Sequence, residues 1–315
     1  MLNILFHAFN LGHRGGTNSL RDYALYNQKI LGNRSTILYH TEGHQRSEPD
    51  VIESLSKQFE IIPVSTNREV DALVKPYDAV YSQRSGHDEE PSIRSAPFLL
   101  HGVFCNHTYQ CTRFAYISKY LSNRMNPEVP YIPYMVDLPQ PNNNLRKELN
   151  ISDNQFVFGR IGGWLEFDIP FVKETIKNIL SKRSDIVFVF VNTQPFIEHS
   201  NVIYLPPSFD QQFKSNFINT CDAMLHAREM GETFGLAMME FLYFNKPVLA
   251  WENGNDLNHV DVLEPFNLLY NANDIEQKIY ELVDRKSYDF SGVVAEYTPA
   301  NVMTKFNEVF LNGIK

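Results

Sequence analysis

The chain has 315 residues, about twice the length of a typical single domain, which predicts two domains. Hydrophobic residues make up 43% and charged residues 21%, a balance that excludes a disordered, fibrous or disulfide-stapled chain. With 28 Lys and Arg against 37 Asp and Glu the net charge is -9, and neither half is basic: 13 basic against 14 acidic residues in 1–140, 15 against 23 thereafter. That argues against a broad nucleic-acid surface, although local basic groups can still hold a few phosphates.

The opening MLNILFHAFNLGHRGG has no charged leader ahead of a long apolar stretch. It reads as a first core strand, residues 2–9, and not as a signal peptide. A loop bounded by Gly12 and Gly16 leads into a helical pattern at 18–31 and a strand at 35–39. Further strands are expected at 59–63, 79–81, 98–100, 114–117 and 129–132. Short apolar strands alternating with helical patterns predict a parallel sheet covered on both faces. His101 follows one such strand and is expected at its carboxyl end. His101, Cys105, His107 and Cys111 offer zinc-type ligands, but their spacing matches no familiar finger or ribbon, so no metal site is assigned.

The proline-bearing, asparagine-rich stretch from Leu138 predicts a linker over 138–154, between an N-terminal domain of 1–137 and a C-terminal domain of 155–298. Beyond it the alternation restarts. Strands are expected at 156–159, 186–191, 202–204, 223–225 and 248–250, with helices at 169–180, 209–219, 234–244 and 275–283. A last helix at 300–311, in a closing segment 299–315, is expected to pack back across the domains. No apolar run approaches the ~20 residues of a membrane helix. The three cysteines form a sparse, odd set that suits reduced thiols in the cytoplasm, with peripheral membrane contact left open. The expected architecture is two doubly wound α/β domains facing a cleft, where ligands bind at the carboxyl ends of the strands.

The segment from His226 to Ala250, HAREMGETFGLAMMEFLYFNKPVLA, carries the most chemistry. A strand leads through a polar loop into a helix near Phe234, whose first-turn amides lack intrahelical partners and carry partial positive charge. Gly235 lets a ligand approach that backbone, so the turn is a plausible diphosphate seat. Glu232 stands just before the helix and Glu240 lies eight residues later. A solvated Glu pair beside an ordinary crossover accounts for the same spacing.

Glu232, seven residues, Glu240 and then Asn245-Lys-Pro-Val resemble the E-x7-E and G-x-P-V region of retaining GT-B glycosyltransferases, family 4 in particular. The resemblance implies that Glu232 faces the donor sugar, that Glu240 binds the nucleotide ribose, and that the amides of Phe234, Gly235 and Leu236 hold the diphosphate. Val157-Phe-Gly-Arg-Ile-Gly-Gly is similar to the family strand whose Arg contacts the donor phosphates, which nominates Arg160. The family Lys five or six residues further on is replaced by Leu165 and Glu166, and Arg228 is the expected substitute. Gly15 and Gly16 resemble the family's Gly-Gly loop, Val129–Asp137 resembles its V-I-P-N-G-V-D segment, and His101 falls where a functional His often faces the donor sugar.

The resemblance also implies a metal-independent hexosyltransferase with retention and no bound cofactor. Its co-substrate would be a UDP- or GDP-type sugar and its acceptor a glycan, lipid or small molecule. A GT-like protein that binds sugar nucleotides without turnover and a GT-B sugar-nucleotide epimerase remain as other readings. No G-x-S-x-G elbow, phosphate loop of the G-x-x-x-x-G-K-[ST] type, G-x-G-x-x-G fingerprint or DxD pair is present.

Overall fold

The computed structural model of the chain describes residues 1–42, 47–85, 92–105, 110–284 and 287–314. It divides into two compact units, Met1–Met135 with Tyr297–Lys315, and Val136–Glu296. Among the described residues, no helix is long and apolar enough to cross a membrane.

In chain order the first unit contains β1 (Asn3–Ala8), α1 (Gly15–Lys29), β2 (Arg34–His40), α2 (Pro49–Ser56), β3 (Glu60–Val64), α3 (Asn67–Leu73), β4 (Ala79–Arg84), β5 (Phe98–Gly102), β6 (Arg113–Tyr116) and α4 (Lys119–Met125). Its six strands pair in parallel in the order β3-β2-β1-β4-β5-β6. Leu5, Leu38, Val80 and Leu100 project from neighbouring strands into one buried cluster with Val70 and Val74, as expected for strands covered on both faces. The expected strand at 129–132 is absent. Only Tyr131 forms a bridge, to Tyr116, because Pro130 and Pro133 on either side cannot donate to a ladder.

The second unit contains β7 (Phe156–Ile161), α5 (Pro170–Leu180), β8 (Ile186–Val191), β9 (Val202–Leu205), α6 (Gln211–Thr220), β10 (Ala223–His226), β11 (Gly231–Glu232), α7 (Leu236–Tyr243), β12 (Val248–Trp251), β13 (Asp256–Leu257), α8 (Asn258–Leu263), β14 (Leu269–Tyr270), α9 (Ile275–Asp284) and α10 (Ser291–Val294). Six strands again pair in parallel, in the order β14-β12-β10-β7-β8-β9, and β11 pairs with β13 as a separate ribbon. Counted within its own unit, each sheet has the doubly wound order 3-2-1-4-5-6. Its strand order therefore reverses between β1 and β4 in the first unit and between β7 and β10 in the second.

Residues 138–154, expected as a linker, are built into the second unit. Leu138, Leu145 and Ile151 are buried, and the Leu145 N–H donates to Thr220 Oγ1 at 2.8 Å. Arg146 reaches Asp222 at 2.7 Å, and the same Asp222 oxygen accepts the Val157 N–H at 2.8 Å. The closing segment belongs to the first unit: α11 (Pro299–Phe306) runs into a π-helical turn at Asn307–Leu311. Phe306 stacks on Tyr23 at 5.2 Å, and Phe310 meets Tyr81 at 5.9 Å.

Candidate nucleotide-sugar site at the switch point of the second unit

β7 and β10 are neighbours with crossovers leaving in opposite directions, the switch point at which doubly wound sheets commonly bind ligands. The loop after β7 carries Gly162, Gly163 and Glu166, and the loop after β10 carries Arg228 and leads into β11 with Glu232. Two hydrogen bonds tie the two loops together. The Asp168 N–H donates to Ala227 O at 3.1 Å, and the Glu229 N–H donates to Asp168 Oδ1 at 2.7 Å.

Glu232 lies on β11 and is one-fifth exposed. His226 Nε2–H, at the end of β10, donates to its Oε1 at 3.0 Å, and Arg228 Nη1 donates to its Oε2 at 3.3 Å. Burial disfavours the Glu232 carboxylate, but the His226 hydrogen bond and the charges of His226 and Arg228 outweigh it and hold the carboxyl below its ordinary range. Behind His226 stands His259, fully buried, with its ring 5.5 Å away and its Nε2–H donating to Trp251 O at 2.8 Å. The His226 Nδ1 atom is buried with no hydrogen-bond partner among the described residues, and burial pulls His259 down to about 4.

Two glycines shape the turn from Glu232 into α7. Gly231 has φ +73°, and a Cβ there would lie 2.0 Å from Asp256 O, so β11 and β13 can approach only without one. Gly235, the N-cap of α7, has φ +82°, a left-handed conformation that closes the turn with the stem of the Glu232 side chain against it: a Cβ at 235 would lie 3.4 Å from Glu232 Cβ and Cγ. Phe234 and Leu236 on either side are buried, and Phe234 O accepts from Asn258 Nδ2 at 2.8 Å.

Arg160, at the end of β7, is buried and braced by oxygen atoms. Nη1 donates to Asn192 O at 3.1 Å and to Thr193 Oγ1 at 2.5 Å, and Nη2 donates to Gly163 O at 2.9 Å. Burial lowers its guanidinium to about 10, against the pull of Glu166 and Glu232, so it is cationic at neutral pH. Arg228 is engaged on both edges: beyond Glu232 it donates from Nη1 to Gly231 O at 3.0 Å and from Nη2 to Glu166 Oε1 at 3.3 Å. Glu166 Oε2 in turn accepts the Gly163 N–H at 3.1 Å.

Glu240 has a partner the sequence did not suggest. Its Oε1 pairs with Lys214 Nζ of α6 at 2.7 Å, with both side chains buried, and its other oxygen lies outside that pair. The signal for Lys214 was faint, a lone Lys on a helix that otherwise reads as amphipathic. His226 and His259 were equally inconspicuous, since a His at a strand end is common.

The first unit places its nominated residues differently. His101 is fully buried on β5. Its Nε2–H donates to Ile132 O at 2.8 Å and faces Tyr116 O at 3.3 Å, while the Tyr81 hydroxyl donates to Nδ1 at 2.7 Å. Burial pulls its pKa down to about 4, so a neutral ring with both nitrogens used belongs to the core. The expectation that His101 meets a donor sugar is corrected on that ground: no ring atom is open to one. Gly15 and Gly16 are exposed, but they form the first turn of α1 and not a loop before it. Cys105 is exposed and Cys111 half-buried, and His107 lies outside the described residues.

No protein-family model matches the chain, and no curated protein matches it. Solved structures do. The chain is similar to Anabaena HepE, determined in complex with UDP and glucose, with 13% identity over 98% of this chain and 99% of that one and a TM-score of 0.65. It is similar to WaaG, a glycosyltransferase involved in lipopolysaccharide biosynthesis, with 13% identity, coverage of 98% and 96%, and a TM-score of 0.66. It is similar to S. aureus TarM, determined with Fondaparinux, alpha-GlcNAc-glycerol and UDP, with 9% identity, coverage of 99% and 100%, and a TM-score of 0.70. With two parallel-sheet α/β units of doubly wound order and these likenesses along its whole length, the chain has the GT-B fold.

Proposed function

We propose that this protein is a glycosyltransferase that moves a sugar from a nucleoside-diphosphate sugar to an acceptor hydroxyl, with retention of anomeric configuration and without a metal ion. The observation that carries the reading is the placing of Glu232, held by His226 and Arg228, three residues before the left-handed N-cap Gly235 of α7 at the switch point of the second unit. That arrangement sets a carboxylate just ahead of the helix-start amides in the chain, one suited to a sugar carrying partial positive charge and the other to a leaving phosphate. The UDP complexes among the similar structures support the same class of donor.

In the proposed reaction the bond between the anomeric carbon and the diphosphate oxygen breaks while the acceptor oxygen bonds to the same face of that carbon. The acceptor proton passes to the leaving phosphate oxygen, so no separate general base is required. Glu232, ionised and fixed by His226 and Arg228, orients the sugar and stabilises positive charge at its anomeric carbon. The amides around Phe234, Gly235 and Leu236, with Arg160 and Arg228 nearby, stabilise the leaving diphosphate. Glu240 offers the oxygen not taken by Lys214 to the ribose hydroxyls. Acceptor recognition is assigned to the first unit.

Thermal unfolding with UDP, GDP and ADP tests the donor site, since a ligand at ~100-fold its dissociation constant adds about 2.7 kcal/mol. Incubation with the corresponding sugar nucleotides, in chelator, then tests transfer: nucleoside diphosphate should be released only with an acceptor, and NMR should show a retained anomer. Failure of all three nucleotides to shift unfolding would overturn the reading. Isomerised donor without acceptor would replace it with an epimerase.

A further inference from the structure

The position where the resemblance expects a lysine is filled by Glu166, and the structure shows what its carboxylate does. Oε2 lies on the Gly163 amide at 3.1 Å, and Oε1 lies on Arg228 Nη2 at 3.3 Å. One anionic group therefore bridges a backbone N–H and a guanidinium at the carboxyl end of β7. Two phosphate oxygens would satisfy the same pair of donors.

The backbone around that pair is shaped for close approach. A Cβ on Gly163 would lie 2.6 Å from the Glu166 carboxyl carbon, and a Cβ on Gly162 would lie 2.6 Å from Arg160 Nη2. Only glycine at 163 lets an oxyanion settle on that amide. Arg160, bonded to Gly163 O from below, adds a fixed positive charge. The Arg228 edge facing Glu166 also approaches the Met230 sulfur at 3.9 Å, whereas its other edge is tied to Gly231 and Glu232. Glu166 and Glu232 thus take different nitrogens of the same guanidinium. The Glu166 side chain is 42% exposed against 18% for Arg228, so the carboxylate is the partner with room to swing out to solvent.

We propose that Glu166 is a specificity-determining residue that occupies an anion cradle formed by the Gly163 amide and the Arg228 guanidinium, and that the donor diphosphate binds by displacing it. The proposal rests on the nucleotide-sugar reading for the identity of the ligand. A lysine here would attract the diphosphate; the glutamate competes with it and, once displaced, still repels it from the same loop. Donor binding is thereby weakened at its phosphates and left unchanged at its nucleoside.

Calorimetric titration of the wild type, Glu166→Gln and Glu166→Lys with UDP, GDP, uridine, guanosine and inorganic pyrophosphate tests it. Glu166→Gln keeps the size of the side chain, and unchanged thermal unfolding without ligand checks that both variants fold. Glu166→Gln should bind pyrophosphate and the preferred nucleoside diphosphate on the order of fivefold tighter, as expected for one partly exposed ion pair removed from competition. Glu166→Lys should gain more, nucleoside binding should not change, and the gains should shrink in high salt. Equal nucleoside diphosphate affinity in all three proteins would overturn the proposal and leave the function reading intact. Tighter pyrophosphate binding with no nucleotide bound by any variant would keep the cradle and overturn the function reading. Absence of binding by every probe to every variant would overturn both.

Discussion

His226 Nε2 lies 3.0 Å from Glu232 Oε1, linking the last residue of β10 to the carboxylate that precedes α7. Because a carboxylate accepts and does not donate, His226 Nε2–H is the donor in this bond, and the ring's Nδ1 is buried. Together with Arg228 on the other oxygen, this fixes Glu232 in one orientation as an anion.

Replacing Glu232 should therefore cost turnover and spare binding. Glu232→Gln keeps the shape and removes the charge, and a loss of about 10²-fold or more in kcat is expected if the carboxylate stabilises the sugar cation. The nucleotide dissociation constant, measured alongside, should change little. Unchanged kcat would remove Glu232 from the proposed mechanism.

The buried pair between Lys214 and Glu240 predicts a large stability effect. Lys214→Met leaves the Glu240 carboxylate buried without its partner, at a cost of about 3–5 kcal/mol. The double variant Lys214→Met with Glu240→Leu removes both charges and should recover much of that loss. Urea unfolding of the wild type, both single variants and the double variant gives the coupling directly.

The two turn glycines should differ in sensitivity. Both have positive φ, so alanine at either position carries backbone strain of about 1–3 kcal/mol. At Gly231 the new Cβ also meets Asp256 O at 2.0 Å, whereas at Gly235 its nearest neighbour is the flexible end of Met238 at 3.2 Å. Gly231→Ala should be the more destabilised in urea, with Gly235→Ala the milder change.

Stability should fall on mild acidification. His101 and His259 are held neutral by burial, with pKa values lowered from 6.5 to about 4, and burial lowers His7 as well. Between pH 6.5 and 4 the unfolded chain binds protons that the folded chain does not, so stability is full above 6.5 and declines toward 4. The urea midpoint should drop from pH 7 to pH 5. A midpoint constant over that interval would show that these rings protonate without unfolding.

Much of this architecture was legible because parallel strands buried on both faces leave continuous apolar runs, as in Ile186–Val191. The expected strands near residues 2–9, 35–39 and 223–225 correspond to β1, β2 and β10. The segment at 129–132 misled because its apolar residues fit a strand while its flanking prolines prevent one. Residues 138–154 have a linker composition, yet Arg146 and Leu145 fasten them to Asp222 and Thr220, partners far along the chain.

By itself the sequence determined the alternation of strand and helix, the two-domain division and the Glu232, Gly235 and Glu240 spacing, all of which arise from local periodicity and turn chemistry. Which of those groups meet was decided only by the tertiary structure. It turned His101 into a core residue, since two carbonyls and a tyrosine hydroxyl close on its ring. It gave Glu240 to Lys214, and Arg228 to both Glu166 and Glu232. Burial and charge pairing depend on which strands become neighbours, and the reversal of strand order between β7 and β10 is a property of the whole sheet.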